Sequence, residues 1–197
     1  MKELKRPWRR SRKRSDDMEI VVSKANLDDM EGLLHVYQSD GLKHTRDLDS
    51  YPLHEWILDP KHHFIVAKIG RKPVGFVFTR KKGEEAKIDM FSITKKYRGK
   101  GVEKRLLDRA ETLEEVSKIA TYVPKSDKWM VNLFKKQGYI IYNEISSLFG
   151  ENEPGLYMTK DLTQWKEAKR SKKTKSEEAA KSFLEENLGK LDIYLKP

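Results

Sequence analysis

Residues 86–107, AKIDMFSITKKYRGKGVEKRLL, are the stretch that decides the predicted fold. Residues 86–93 have high β-propensity and run directly into a loop with glycines at positions 99 and 101. After the loop, apolar residues recur at helical spacing from Val102 onward. Glycines allow a tight turn close to a ligand, and a helix start offers unpaired N–H groups with a partial positive charge. This pattern suits a diphosphate, although it lacks the Lys-Ser/Thr of a nucleotide P-loop and the three glycines of a dinucleotide fingerprint.

The elements on either side of this stretch predict a mixed α/β layer. Strands are predicted at residues 18–24, 64–69, 74–79, 86–93, 119–123, 139–145 and 156–162. Helices are predicted from Asn26 to about Gln38, at 53–58, from Val102 to about Leu113, and from Ser126 or Asp127 to Gln137. The order β-α-α-β-β-β-α-β-α-β-β indicates an antiparallel meander followed by a helical crossover. Residues 176–188 predict a further amphipathic helix, docked on the domain or on a partner.

The stretch resembles the acetyl-CoA-binding segment of the GNAT superfamily of N-acetyltransferases. In that family an Arg/Gln-x-x-Gly-x-Gly/Ala loop cradles the pyrophosphate, and Arg98 and Gly101 match its first two fixed positions. Residues 127–139, DKWMVNLFKKQGY, are similar to the family's later helix, which ends in a Gly-aromatic step. The resemblance covers about residues 18–162. It implies a mixed sheet of six to seven strands with splayed fourth and fifth strands, about four flanking helices and here an extra C-terminal helix.

The resemblance also implies a cofactor and a reaction. The pantetheine arm of acetyl-CoA would run between residues 86–93 and 119–123, and a primary amine of a protein or small molecule would attack the thioester directly in a ternary complex. That suits a chain without cysteine. A backbone N–H near residues 91–93 would stabilise the oxyanion. The implied cofactor-binding residues are Phe91, Ser92, Ile93, Arg98, Gly99, Lys100, Gly101, Val102, Asp127 and Phe134.

Acidic residues beside the predicted cleft are the candidates for accepting the proton that the amine must lose. Asp89 is the first choice, with Glu85 next and Glu84 also available. The alternative role of Asp89 is a salt bridge at the strand edge. No metal site is predicted, because the adjacent His62 and His63 would point to opposite faces of a strand and the other three histidines have no Cys or carboxylate at ligand spacing.

Three positions depart from the family pattern. Glu103 replaces the third fixed Gly or Ala of the loop, and we expect its carboxylate to compete with a pyrophosphate for the same amides. Phe134 stands where the family often has the Tyr that protonates the departing thiolate, and its alternative role is core packing. Asp127 replaces a frequent Asn. Tyr122 and Tyr139 are other possible sources of a hydroxyl.

The net charge of +10 belongs to the ends of the chain. Residues 1–15 carry eight Lys/Arg and one acid, residues 163–175 carry six and one, and residues 16–162 carry 24 of each sign. We therefore divide the chain into a basic arm (1–15), a GNAT-like domain (16–162), a basic linker (163–175) and an amphipathic helix with its tail (176–197). No apolar run is long enough to span a membrane or to form a secretory signal, so a cytoplasmic location is expected.

The two basic segments combine cations with a tryptophan, a composition that can bind RNA through phosphates and stacked bases. The alternatives are a solubility tail or a localisation signal. The candidate nucleic-acid-binding residues are Arg6, Trp8, Arg9, Arg10, Arg12, Lys13, Arg14, Trp165, Lys169, Arg170, Lys172 and Lys173. Two functions follow from the sequence. One is an acetyl-CoA-dependent N-acetyltransferase, and the other is a catalytically weak or inactive GNAT-like protein bound to RNA or the ribosome.

Overall fold

The structure, a computed structural model, describes residues 19–40, 53–113 and 115–163, together with residues 167, 177, 178, 181 and 182. The basic arm, the basic linker from 164 on except residue 167, and most of the predicted C-terminal helix lie outside the described residues. The nucleic-acid-binding residues predicted on the two basic segments therefore all lie outside them.

Seven strands form one mixed sheet. They are β1 (Ile20–Lys24), β2 (His62–Ile69), β3 (Lys72–Lys82), β4 (Glu85–Ile93), β5 (Lys118–Pro124), β6 (Ile140–Ile145) and β7 (Gly155–Asp161), in the spatial order β1-β2-β3-β4-β5-β7-β6. β4 and β5 are parallel, and every other neighbouring pair is antiparallel. The helices are α1 (Met30–Asp40), α2 (Leu53–Leu58), α3 (Val102–Ala110) and α4 (Lys128–Lys136). The predicted element order and mixed sheet are confirmed.

Helices cover the sheet on both faces. On the first, the α1/α2 face, side chains of the two helices pack on a cluster of phenylalanines from β2 and β3. The cluster and its helix partners are Leu33, Val36, Leu53, Ile57, Phe64, Phe76 and Phe78. On the second, the α3/α4 face, Leu106, Leu107 and Phe134 pack on Ile88, Phe91 and Ile119 of the central strands. Full burial of each such side chain contributes about 1.5–3 kcal/mol, so β4 is held between the two cores and β5 is held by the second.

Some boundaries differ from the sequence prediction. The first helix begins at Met30 because residues 27–29 form a 3₁₀ turn, in which Asp29 accepts a hydrogen bond from the Asn26 amide at 3.1 Å and pairs with Lys68. β3 runs to Lys82, beyond the predicted end at 79, because its charged end stays paired with the start of β4. Among the helices described here, none has the length and apolar character needed to cross a membrane.

Candidate cofactor and acceptor site

A gap opens between β4 and β5 at the centre of the sheet. The two strands pair only over residues 85–88 and 118–121, and the Thr121 hydroxyl donates to the Ile88 carbonyl at 3.2 Å where the pairing ends. Within the described structure, residues 89–93 of β4 have no partner in β5. Asp89 is an extra residue in β4, since Thr79 faces Ile88 while Phe78 faces Met90. Such a bulge bends a strand and increases its twist, which carries the end of β4 away from β5.

A turn that contains two glycines follows the open end of β4. In this turn, residues 94–101, Gly99 and Gly101 have φ angles of 71° and 85°, a left-handed backbone that glycine adopts without strain. α3 begins at the next residue, Val102. Within the described part of the chain, the N–H groups of Lys100, Gly101 and Val102 meet no hydrogen-bond acceptor. Unpaired N–H groups at a helix start form a site for an anion.

Glu103 occupies one amide of this turn. Its side chain folds back from the first turn of α3, and Oε1 accepts a hydrogen bond from the Gly99 N–H at 2.5 Å. The residue is only 5% exposed, so the carboxylate is held inside the turn rather than in solvent. The predicted competition for amides is therefore present as a contact. It involves Gly99, and the next three amides have no acceptor in the described structure.

Arg98 fastens the turn to β4 and α4. Its Nε donates to the Ile93 carbonyl at 3.2 Å, and the guanidinium lies 4.0 Å from the ring centroid of Trp129. Burial lowers the pKa of Arg98, and the charges of Asp127 and Glu103 oppose that shift. Asp127 also caps α4, where it accepts the Met130 N–H at 2.9 Å. These contacts keep the amides of the turn beside the gap.

Aromatic rings close the gap on the α3/α4 face. Phe134 is fully buried and meets Phe91 edge-on at 5.9 Å and Tyr139 at 4.9 Å. Phe134 thus packs in the core, which was one of its two predicted roles. The Tyr139 hydroxyl lies beside Glu111 at the end of α3, and burial together with that carboxylate raises the pKa of Tyr139. Neither ring brings an available hydroxyl into the gap.

Asp89 lies at the mouth of the gap and is bound by two cations. Arg80 contacts both of its carboxylate oxygens through Nε and Nη2, and Lys87 Nζ lies 3.2 Å from Oδ1. The salt bridge predicted as the alternative role of Asp89 is thus present, while its role as a proton acceptor stays a prediction. A proton or water that approaches this carboxylate has to compete with these donors.

Glu85 and Glu84 lie at the opposite end of β4. Glu85 pairs with Lys118 at 3.4 Å, and Glu84 accepts from Ser117. At about 3.3 Å per strand residue, Glu85 is roughly 25 Å from Ile93 and the turn. The structure does not bring these two acids together with the cofactor-binding residues predicted from sequence.

A model of the acetyltransferase (GNAT) family matches residues 30–139, which is more than half of the chain. The chain belongs to the acetyltransferase (GNAT) family. Among the curated proteins, none matches this chain in sequence. The match includes β4, the turn, α3 and α4, so the gap and its amides lie inside the GNAT domain.

Solved structures of GNAT enzymes have the same fold. The PaiA N-acetyltransferase of Thermoplasma acidophilum, solved with coenzyme A, is 18% identical with a TM-score of 0.62 over 73% of this chain and 99% of its own. The ribosomal-protein-S18-alanine N-acetyltransferase of Escherichia coli is 15% identical with a TM-score of 0.61 over 73% and 94%. An aminoglycoside 6′-N-acetyltransferase complexed with coenzyme A is 14% identical with a TM-score of 0.62 over 72% and 97%. At these identities the likeness shows the fold.

The structure places the ten predicted cofactor-binding residues of this GNAT chain around one gap. Phe91, Ser92 and Ile93 form its β4 edge, and residues 98–102 belong to the turn and the start of α3. Asp127 caps α4, and Phe134 lies on α4. Sequence reasoning missed Trp129, whose ring meets Arg98, and the cations Arg80 and Lys87 at the mouth of the gap. The only signal for Trp129 was an aromatic residue close to the predicted helix cap.

Proposed function

We propose that this chain is an acetyl-CoA-dependent N-acetyltransferase that acetylates a primary amine. The observation that supports the proposal is the parting of β4 and β5 directly before a turn with three amides that lack acceptors in the described structure. A gap between strands can take an extended chain that pairs with the free strand edge, and the turn can take the phosphates at the end of that chain. The residues present therefore fit the cofactor that the family name implies.

Each part of the site has a role in this proposal. The amides of Lys100, Gly101 and Val102 would hold the pyrophosphate, and Arg98 would keep the turn in place through Ile93 and Trp129. When bound, acetyl-CoA supplies a thioester carbonyl that an amine can attack. Backbone N–H groups on the unpaired edge of β4 would then stabilise the charge that develops on the carbonyl oxygen.

The proton of the amine has to leave during transfer. In this proposal the amine nitrogen forms the new bond to the acetyl carbon as the carbon–sulfur bond breaks, and water carries the proton away from the mouth of the gap. Asp89 would orient that water or the amine through the carboxylate that also holds Lys87. Phe134 has no hydroxyl, and that of its neighbour Tyr139 is buried beside Glu111, so neither residue would protonate the departing thiolate.

Titration calorimetry with acetyl-CoA tests the proposal. The full chain should bind acetyl-CoA, and the same preparation should release free thiol when a mixture of amines is added. The Gly101→Val variant provides the control, because a β-branched side chain is strained at a φ of 85° and displaces the amides. Absence of binding at millimolar acetyl-CoA, in the wild type and in Glu103→Ala alike, would defeat the proposal.

A second candidate function is a GNAT-fold protein with weak or absent catalysis, held on RNA or a ribosome by its basic segments. The observation in its favour is the contact of Glu103 with the Gly99 amide, because it places a carboxylate among the amides meant for phosphate. Each phosphate that a cation neutralises makes the slope of log K for nucleic-acid binding against log salt concentration steeper by about 0.7–0.9. RNA affinity should therefore depend strongly on salt and be lost when residues 1–15 and 163–175 are deleted. Equal affinity before and after deletion would reject this candidate.

A further inference from the structure

A cluster of four side chains surrounds the point where β4 and β5 part. Lys87 Nζ lies 3.2 Å from Asp89 Oδ1 and 4.6 Å from the ring centroid of Tyr122. Arg80 binds the same Asp89 carboxylate from β3. Asp89 and Tyr122 are each the first residue of their strand beyond the last parallel pair. We call these four residues the mouth cluster.

The mouth cluster faces away from the α3/α4 core. Ala86 and Ile88 belong to that core, so Lys87 between them points to the opposite face of the sheet. Val123 belongs to the same core, and its neighbour Tyr122 accordingly points the other way. The side chain of Lys87 is 43% exposed and that of Arg80 is 55% exposed, so a ligand from solvent can reach both.

The partly exposed mouth cluster offers an acceptor a way to the gap on this face. On the α3/α4 face, Phe91 and Phe134 fill the space behind β4 and both are buried. At the Glu85 end of β4, β4 and β5 are hydrogen-bonded to each other. The turn at the near end is the proposed site of the cofactor phosphates. An amine that enters here passes the mouth cluster on its way to the thioester.

Lys87 keeps hydrogen-bonding capacity for a ligand in the mouth cluster. Glu85 and Lys118, next along the same face, pair with each other. Among the described residues, Lys87 makes one ion pair, whereas an ammonium has three N–H groups. An acceptor with an anionic group would therefore meet an available donor on Lys87.

We propose that the acceptor amine carries a carboxylate close to its nitrogen, and that Lys87 binds this carboxylate. The proposal rests on the proposed function, because it names the substrate class of that reaction. Lys87 selects the acceptor and does not touch the acetyl group. Asp89 and the Tyr122 ring hold its ammonium at the mouth, so they act as positioning residues.

Matched acceptors test this substrate class. One pair is a tripeptide with N-terminal Glu and the same peptide with N-terminal Gln, and a second pair is a free amino acid and its carboxamide. Thiol release gives kcat/KM for each acceptor with wild type, Lys87→Met and Lys118→Met. Lys118 is the matched control, because it lies on the same face at the hydrogen-bonded end of β5. The two amines of a pair differ in their own basicity. The informative quantity is therefore the ratio of kcat/KM for the anionic acceptor to kcat/KM for the neutral one, compared between variants.

We expect the anionic member of each pair to be favoured at least about fivefold, as a charge-assisted hydrogen bond would give. Lys87→Met should remove this preference through KM, and Lys118→Met should retain it. Equal use of both members, or a preference that survives Lys87→Met, would overturn the inference. So would acetyl-CoA binding with no transfer to any of the four acceptors. Absence of acetyl-CoA binding would instead show the failure of the proposed function, on which the inference depends.

Discussion

The contact between Glu103 and the Gly99 amide leads to a prediction about cofactor affinity. Glu103→Gln keeps the shape of the side chain and an oxygen for the Gly99 N–H but removes the charge. Glu103→Ala removes both and frees the amide. We expect acetyl-CoA to bind more tightly to both variants than to wild type, and most tightly to Glu103→Ala, because it restores a small residue at the third fixed position of the loop.

The magnitude follows from the geometry of the turn. A phosphate on the three remaining amides would lie about 4–6 Å from the Glu103 carboxylate, where like charges repel by about 1–3 kcal/mol at an effective dielectric between those of water and a protein surface. Removal of this repulsion corresponds to a decrease of about five- to 150-fold in Kd for Glu103→Gln. The freed Gly99 amide adds about 0.5–1.5 kcal/mol in Glu103→Ala. That variant also loses its own hydrogen bond and a favourable helix-terminal charge, so its free energy of unfolding should fall by about 1–2 kcal/mol.

Calorimetry with acetyl-CoA at two salt concentrations measures these effects. The gain of Glu103→Gln should shrink at high salt, because screening weakens the repulsion in the wild type. Asp108→Asn is the control: it removes the same charge from the same helix, at an exposed position paired with Lys104. It should leave Kd unchanged. Unchanged or weaker binding in both Glu103 variants would refute the reasoning and indicate that the carboxylate shapes the turn for its ligand.

Three further predictions concern the frame of the site. Gly101→Ala should lower the free energy of unfolding by about 1–2 kcal/mol in chemical denaturation, because φ is 85° there while the added Cβ meets no atom within 4 Å. Phe134→Ala should cost about 3–5 kcal/mol in the same assay, since it empties a fully buried site between Phe91 and Tyr139. Burial raises the pKa of Glu111 above its ordinary 4.5, so the folded protein keeps that proton longer than the unfolded chain. Wild-type stability relative to Glu111→Gln should therefore decrease as pH rises above 4.5, and a difference that is flat with pH would contradict this.

The sequence predicted the frame of the site because that frame depends on local patterns. Short apolar runs of high β-propensity located the strands, and glycines at 99 and 101 located the turn that needs a left-handed backbone. The conflict at Glu103 was also readable, since a helix N-terminus attracts any carboxylate within reach. These features involve neighbours in the chain, for which spacing is sufficient information.

Contacts between distant residues were harder to predict. The pairing of Arg80 with Asp89 depends on the register of β3 and β4, which a bulge shifts by one residue at this point. The stacking of Arg98 on Trp129 depends on the direction in which α4 leaves β5. The buried pair of Glu111 and Lys160 joins the end of α3 to β7 at 2.6 Å. Composition gives no information about such partners, because many cations in this chain could have filled each position.

The extra residue in β4 makes the separation of β4 and β5 depend on the number of residues in β4, and not only on their side chains. Without Asp89 the pairing register of β4 with β3 would be continuous across the site of the bulge. Residues 90–93 would then continue the register of residues 85–88. β5 would then meet a straighter neighbour along its whole length. A deletion of one residue could thus join two strands that no single substitution would bring together, and close the cleft by backbone geometry alone.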